Sequence, residues 1–292
     1  MAAPSPLLPF LHLDALWLQI TGTRCNIACR HCFISCGPKV ERHAVMTGEQ
    51  VRRAIDEAEG LGCRGYWFTG GEPFLHPEIL GLIGYALGRG PLGILTNGML
   101  ITPEIAAALR AAADRSEYSL DLRVSLDGLT AEENDGIRGR GVFGAACAGI
   151  RALAAVGLEP AIAVTTVHAA HARPEGRAAF LGLLRGLGVA RPRLKLIPPF
   201  RIGREARRGG DGAADHAVGG RIRAEELDDQ APWVLQCGTS RMVTAGGVYA
   251  CPILIDAPVA RLGDTLAEAL RPAALGHPAC RTCLTEGFSC RT

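Results

Sequence analysis

Cys25-Asn26-Ile27-Ala28-Cys29-Arg30-His31-Cys32 sets three thiols within one short stretch. It follows directly on Leu16-Trp17-Leu18-Gln19-Ile20, an apolar run that reads as a strand. Cys at this density points to a metal, and soft thiolates suit zinc or iron–sulfur clusters. Structural zinc takes four protein ligands in a closed tetrahedron. Cys36 or His31 would then have to complete the set. A cubic four-iron cluster held by three Cys instead leaves one iron open to a substrate or cofactor. The triplet by itself admits both readings.

Working outward, the chain alternates strand and helix. Thr47-Gly48-Glu49-Gln50 has the form of a capping box. It opens a helix over 48–60 with Val51, Ile55, Ala58 and Leu61 at helical spacing, stopped by Gly62. A strand follows at Gly65-Tyr66-Trp67-Phe68-Thr69, then a helix from about Pro77 to Leu87, then a strand over 92–96 ending at Asn97-Gly98. Thr102-Pro103 caps and starts a third helix. Further strands are predicted over 120–126, 161–167 and 194–197, with helices over 143–156 and 174–187. Asp135 to Gly139 reads as loop. Regular alternation implies parallel strands joined by right-handed crossovers. About six such units fall short of the eight in a closed barrel. The fold expected is therefore α/β, a partial (β/α)6 TIM-type barrel.

Gly70-Gly71-Glu72-Pro73 ends the second strand. In parallel α/β folds, ligands bind at the carboxyl ends of strands, and Gly lets backbone approach a ligand closely. With this turn one strand and one helix after Cys-x3-Cys-x2-Cys, the sequence resembles the radical S-adenosylmethionine (radical SAM) family. His31 fits that family's preference for an aromatic residue before the last Cys, and Phe33 follows that Cys. The resemblance implies a [4Fe-4S] cluster on Cys25, Cys29 and Cys32, whose open iron is chelated by SAM. One electron then releases a 5′-deoxyadenosyl radical. It makes Gly70, Gly71, Glu72 and Pro73 the contact for the SAM amino group, with Glu72 receiving its charge. Ser125 and Asp127 would bind ribose or carboxylate. Arg138 would pair with the carboxylate, or serve only a surface salt bridge. Asn97 would touch SAM or substrate, or merely turn the chain. The runs Val124 to Gly128 and Asp135 to Gly139 look like the subgroup with C-terminal SPASM or twitch domains.

Residues 201–231 are rich in Gly and Arg and read as a linker or lid after a core over 1–200. Arg201, Arg204, Arg207 and Arg208 would meet an anionic substrate there, or simply form a solvated face. From 232 to 292 the chain reads as a small Cys-rich α+β domain. Arg241 to Ala250 form a hairpin flanked by Cys237 and Cys251, followed by Cys280-Arg281-Thr282-Cys283. Four Cys can close around one metal site. The arrangement resembles a twitch domain with one auxiliary [4Fe-4S] cluster relaying an electron. Zinc has the same ligand chemistry, and Cys290 is left over. Sulfatase maturases of this subgroup place an acidic base beside an auxiliary-cluster Cys. Here Pro252 follows Cys251 and the nearest acid is Asp256, which leaves the base unassigned.

The 292 residues are 48% apolar with net charge +2, enough for one large core and a small appended unit. The near-neutral balance and 5% aromatics give no basis for nucleic acid as partner. The start of the chain lacks Lys and Arg before the first strand and fits neither a signal peptide nor a membrane span. Thiols kept for metal imply the cytoplasm, and isolated Cys63 and Cys147 read as small core residues. The expected enzyme is of oxidoreductase type and takes electrons from a partner such as flavodoxin or ferredoxin. Its substrate is a small metabolite, such as a sugar alcohol, or a ribosomally made peptide. Only about fifteen residues precede the first strand, so the sequence predicts no fused peptide-recognition domain there. The rival reading is a non-catalytic zinc or iron–sulfur binding protein, which would bind no SAM.

Overall fold

The computed structural model describes residues 5–207 and 222–286. After a two-residue strand, β1 (Leu7–Leu8), the chain lays down β2 (Ala15–Gln19), β3 (Gly65–Thr69), β4 (Leu92–Thr96), β5 (Leu120–Ser125), β6 (Ala161–Thr165) and β7 (Arg193–Ile197). From β2 to β7 these strands neighbour one another in sequence order, all parallel. The connections carry α1 (Gly48–Gly60), α2 (Ile79–Leu87), α3 (Pro103–Asp114), α4 (Ala131–Arg138), α5 (Val142–Ala155) and α6 (Pro174–Gly186). This is the expected open α/β barrel.

Local chemistry accounts for the elements. Thr47 and Gln50 close both bonds of the capping box on α1, whose Val51, Ala54, Ile55 and Ala58 are buried. Thr102 caps α3 ahead of Pro103. Between β2 and β3, Trp67 stacks on Trp17 at 4.9 Å between ring centroids. A Cβ on Gly93 would lie 2.1 Å from the Trp67 ring, so only glycine fits beneath it.

Two departures from the sequence reading bear on function. The stretch containing Asp135 to Arg138 is not loop but the end of α4, capped by Thr130. Its polar composition and Gly136 hide a helix that buries Asn134, Ile137 and Arg138. The C-terminal hairpin also does not stand apart. β8 (Ser240–Thr244) pairs in parallel with β2, and β9 (Gly247–Tyr249) and β10 (Arg261–Gly263) follow antiparallel. The result is one nine-stranded sheet.

The rest of the tail comprises α7 (Ala231–Val234), α8 (Leu266–Ala269), β11 (Ala273–Ala274) and α9 (Pro278–Thr285). β11 pairs with β1 and brings the start of the chain to the tail. Arg241, fully buried on β8, donates to the carbonyls of Ala269, Cys237 and Ser240 at 2.7 Å each and of Arg271 at 2.6 Å. Its guanidinium also lies 3.9 Å from the Phe10 ring centroid. Four carbonyls, two of them in fully buried bonds, satisfied by one cation explain how so little regular structure stays packed. Among the described residues no helix is long and apolar enough to cross a membrane.

Candidate active site

The triplet lies in the loop after β2, which folds back on itself. Cys25 donates its amide to the Gly37 carbonyl at 3.2 Å, and Gly37 donates to Thr23 at 3.1 Å. This brings Cys25, Cys29, Cys32 and also Cys36 to the wall of one cavity of about 180 Å³. The last residue of each strand from β3 to β7, namely Thr69, Thr96, Ser125, Thr165 and Ile197, lines the same cavity. It therefore opens at the carboxyl ends of the strands, where parallel α/β folds bind ligands.

Both glycines of the Gly-Gly-Glu-Pro turn line the cavity, and their reason is close approach. A Cβ on Gly71 would sit 2.0 Å from the Arg24 carbonyl oxygen and 2.8 Å from Cys25 Cβ. Gly70 has φ 148, and a Cβ there would meet Thr21 Oγ1 at 2.2 Å. The turn is thus seated on the cysteine loop.

Glu72 and Pro73 do not line the cavity. Glu72 is fully buried and accepts from Thr96 Oγ1 at 2.7 Å, Phe74 N at 3.1 Å and Asn97 N at 2.7 Å. The expectation that its carboxylate receives an amino group is corrected. It pins Asn97 instead, whose Nδ2 donates to Asn26 Oδ1 at 2.7 Å and lies 3.9 Å from Cys25 Sγ. Pro73 begins a short 3-10 turn behind it. Burial pushes the Glu72 carboxyl up to about 7, against three hydrogen bonds that lower it. A raised folded value contributes stability below the unfolded value near 4.3 that is lost as pH rises through about 7. Glu72→Gln is therefore expected to flatten the stability profile there. Wild type should lose up to about 3 kcal/mol against the variant between pH 4 and pH 8 by urea denaturation. A pH-independent difference would refute this.

Asp127 also faces inward. It is fully buried, accepts from Thr165 N at 2.7 Å through Oδ1, and meets His31 Nε2 at 2.5 Å and Arg138 Nε at 2.7 Å through Oδ2. Burial opposes its charge, yet Arg138 and then His31 outweigh it and hold the carboxyl well below the usual carboxylate range. Both oxygens are engaged, so the expected direct contact of Asp127 with SAM does not fit. Asp127 holds the two side chains that do line the cavity, His31 and Arg138. Arg138 is thereby an internal ion pair rather than a surface salt bridge. Its Nη1 lies 4.0 Å from Cys29 Sγ.

Burial pushes the Cys25 thiol up to about 12 and raises Cys29. Cys32 goes the other way, to about 5, chiefly through a hydrogen bond from the Cys36 thiol. Phe33 lines the cavity edge-on to Phe200, ring centroids 5.9 Å apart.

Arg204 was hidden in the Arg-rich run. Its Nε donates to the Cys29 carbonyl at 2.8 Å, its Nη2 to the Cys36 carbonyl, and its amide to the Cys32 carbonyl at 3.1 Å. It clamps the cysteine loop and lines the cavity. The available signal was its place just beyond Pro198-Pro199-Phe200 at the carboxyl end of β7. Arg201 and Arg207 are exposed, and Arg208 lies outside the described residues.

A second, narrow apolar cavity of about 30 Å³ is lined by Cys237, Cys251, Cys280 and Cys283 together with Leu235, Ile253 and Leu254. Cys280 and Cys283 share one face of α9. Burial pushes Cys280 up to about 12 and raises Cys237 and Cys251. Among the described residues no three His, Cys, Asp or Glu are drawn together as one metal ion would require. Four thiols are a donor set that zinc and iron–sulfur clusters share. Cys290 lies outside the described residues. Asp256 pairs with Arg42 and His43, each at 2.7 Å, on the surface. Cys147 is buried on α5, and Cys63 is half-buried with its thiol on the Gly65 carbonyl at 3.3 Å.

Comparison with known proteins follows this geometry. Mycofactocin maturase MftC of Mycobacterium tuberculosis is 39% identical over 135 residues, a match spanning 46% of this chain and 32% of MftC. The match thus spans about a third of that relative's length. Streptococcus suis SuiB bound to precursor peptide SuiA shares the fold, with TM-score 0.64 and 15% identity over 89% of this chain and 65% of that one. So does anSMEcpe with bound AdoMet, with TM-score 0.62 and 18% identity over 89% and 77%. The profile of the Radical SAM superfamily matches residues 20–171, which hold the cysteine loop, the Gly-Gly turn, Asp127 and Arg138. That is more than half of the chain, which belongs to the radical SAM superfamily.

Proposed function

We propose that the first cavity binds a [4Fe-4S] cluster and SAM, and that the second holds one auxiliary [4Fe-4S] cluster. The donor sets fit. Two buried thiols, Cys25 and Cys29, and the half-buried Cys32 line the cavity beside a turn that admits no Cβ, and His31 Nδ1 is buried with no hydrogen-bond partner while its ring lines the cavity. When bound, the cluster and SAM supply a reductively generated 5′-deoxyadenosyl radical that removes hydrogen from an unactivated carbon.

Cys25, Cys29 and Cys32 hold the cluster, and Arg204 keeps their loop closed. The Gly70 and Gly71 backbone receives the methionine amino group. Arg138, steadied by Asp127, pairs with the carboxylate as Arg suits. Ser125 and Asn97, at strand ends, take polar groups of the nucleoside, and His31 offers Nδ1. Phe33 and Phe200 exclude water. Cys237, Cys251, Cys280 and Cys283 hold the auxiliary cluster as an electron relay within residues 232–292, appended to the 1–200 core through 201–231.

Among substrates, a ribosomally made peptide is favoured over a small metabolite. The support is that MftC is a maturase and that SuiB is seen with a precursor peptide. Thiols kept for metal favour the cytoplasm, with a flavodoxin- or ferredoxin-like electron donor.

The observation that carries this reading is the convergence of the spaced triplet, the Gly-Gly turn and Arg138 on one cavity at the strand ends. The test is anaerobic reconstitution with iron and sulfide, then SAM and a reductant. Formation of 5′-deoxyadenosine supports it. A colourless, zinc-loaded protein that leaves SAM intact overturns it in favour of a metal-binding module.

A further inference from the structure

Four thiols line the first cavity, and the triplet uses three. The fourth, Cys36, is 4% exposed. Its amide donates to Cys32 Sγ at 3.3 Å, and the two side chains share a hydrogen bond. Its own Sγ lies 4.0 Å from the Gly70 carbonyl oxygen. Cys36 thus spans the seam between the cysteine loop and the Gly-Gly turn, where the amine of bound SAM would have to enter. Arg204 bonds to the Cys36 carbonyl as well as to that of Cys29, so the thiols are carried on one clamped loop. A small core filler would need only apolar neighbours. Cys36 has a thiol, a carbonyl and an open cavity, and the unpartnered His31 Nδ1 belongs to the same wall.

We propose that Cys36 is a displaceable fourth ligand of the cluster. Without SAM its thiolate occupies the iron that Cys25, Cys29 and Cys32 leave without a protein ligand, and SAM displaces it. This rests on the reading of the site given above. The exchange balances. The departing thiolate takes up one proton, SAM's ammonium gives up one before its nitrogen binds iron, and no electron moves. The resting cluster is thereby shielded from loss of its fourth iron, at some expense in SAM affinity.

The experiment compares reconstituted wild type with Cys36→Ala and Cys36→Ser in the full chain. The first readout is the electron paramagnetic resonance signal of [3Fe-4S] after mild ferricyanide oxidation without SAM. The second is the equilibrium dissociation constant for SAM. Wild type is expected to resist conversion. Both variants should convert readily unless SAM is present, and should bind SAM about tenfold more tightly, which is about 1.4 kcal/mol. Ser keeps the volume and a hydrogen bond, so agreement of Ser with Ala separates ligation from packing. Conversion and affinity equal to wild type in both variants overturn the proposal. Failure of both variants to take up the first cluster also overturns it, because Cys36 would then be a permanent part of the site. A wild type that binds neither cluster nor SAM overturns the site reading itself, a different outcome from either.

Discussion

Cys29→Ala is expected to abolish SAM cleavage, with 5′-deoxyadenosine formation falling at least about 10³-fold, or roughly 4 kcal/mol in barrier terms. The reason is positional as well as chemical. Cys29 is the thiol beside Arg138 Nη1, and its carbonyl is one of the three that Arg204 grips. Losing it removes a ligand from the middle of the clamped loop. The four tail thiols line a separate cavity, so the auxiliary site should stay loaded. Iron content is expected to fall by about half, as one of two equal clusters goes. The converse variant, Cys280→Ala with Cys283→Ala, should lose the other half and keep SAM binding. Iron analysis with chromatographic detection of 5′-deoxyadenosine checks both. Retained cleavage in Cys29→Ala would remove the triplet from the chemistry, and joint loss of both clusters in the tail variant would contradict two independent sites.

Asp127→Asn is expected to cost about 3–5 kcal/mol of stability near neutral pH, because it leaves Arg138 buried beside His31 without its counter-charge. The same change frees Arg138 from its fixed orientation, so SAM binding should weaken as well. The sign of the pH dependence is set by the depressed carboxyl. A folded value below the unfolded one, near 3.9, contributes stability above that value and loses it as pH falls through the folded value. Wild type should therefore begin to lose its advantage over the variant only below about pH 4, and lose it progressively as pH falls toward the depressed folded value. Urea denaturation midpoints compared at pH 7 and at about pH 2.5 measure this. Equal stability of the two proteins at pH 7 would show that the ion pair is not holding the site.

That the thiols of the triplet, the Gly-Gly turn, Ser125, Asn97 and Arg138 meet at one cavity was legible because each sits at a strand end or at a fixed spacing from one. The helix ending in Arg138 was not. Ala131 to Gly136 is polar, and what makes it helical is the burial of Asn134, Ile137 and Arg138 against neighbours far along the chain. The hairpin was legible from its turn, but its parallel pairing with β2 was not, since no local pattern records which edge a strand joins. Glu72 and Asp127 were found as residues and misread as contacts. Their motif positions show they matter, but the direction of a carboxylate depends on which amides and cations surround it.

Local periodicity and thiol spacing, read along the chain, determined the alternating α/β architecture and the two clustered sets of cysteines. Both are short-range properties, written within a few residues of one another. Only the tertiary structure decided that Arg204, 175 residues from Cys29, closes the cysteine loop, that Glu72 and Asp127 act as internal pins, and that Cys36 shares the cavity. Those roles arise from burial and long-range hydrogen bonding, where the energy of a polar group depends on partners the linear pattern does not name.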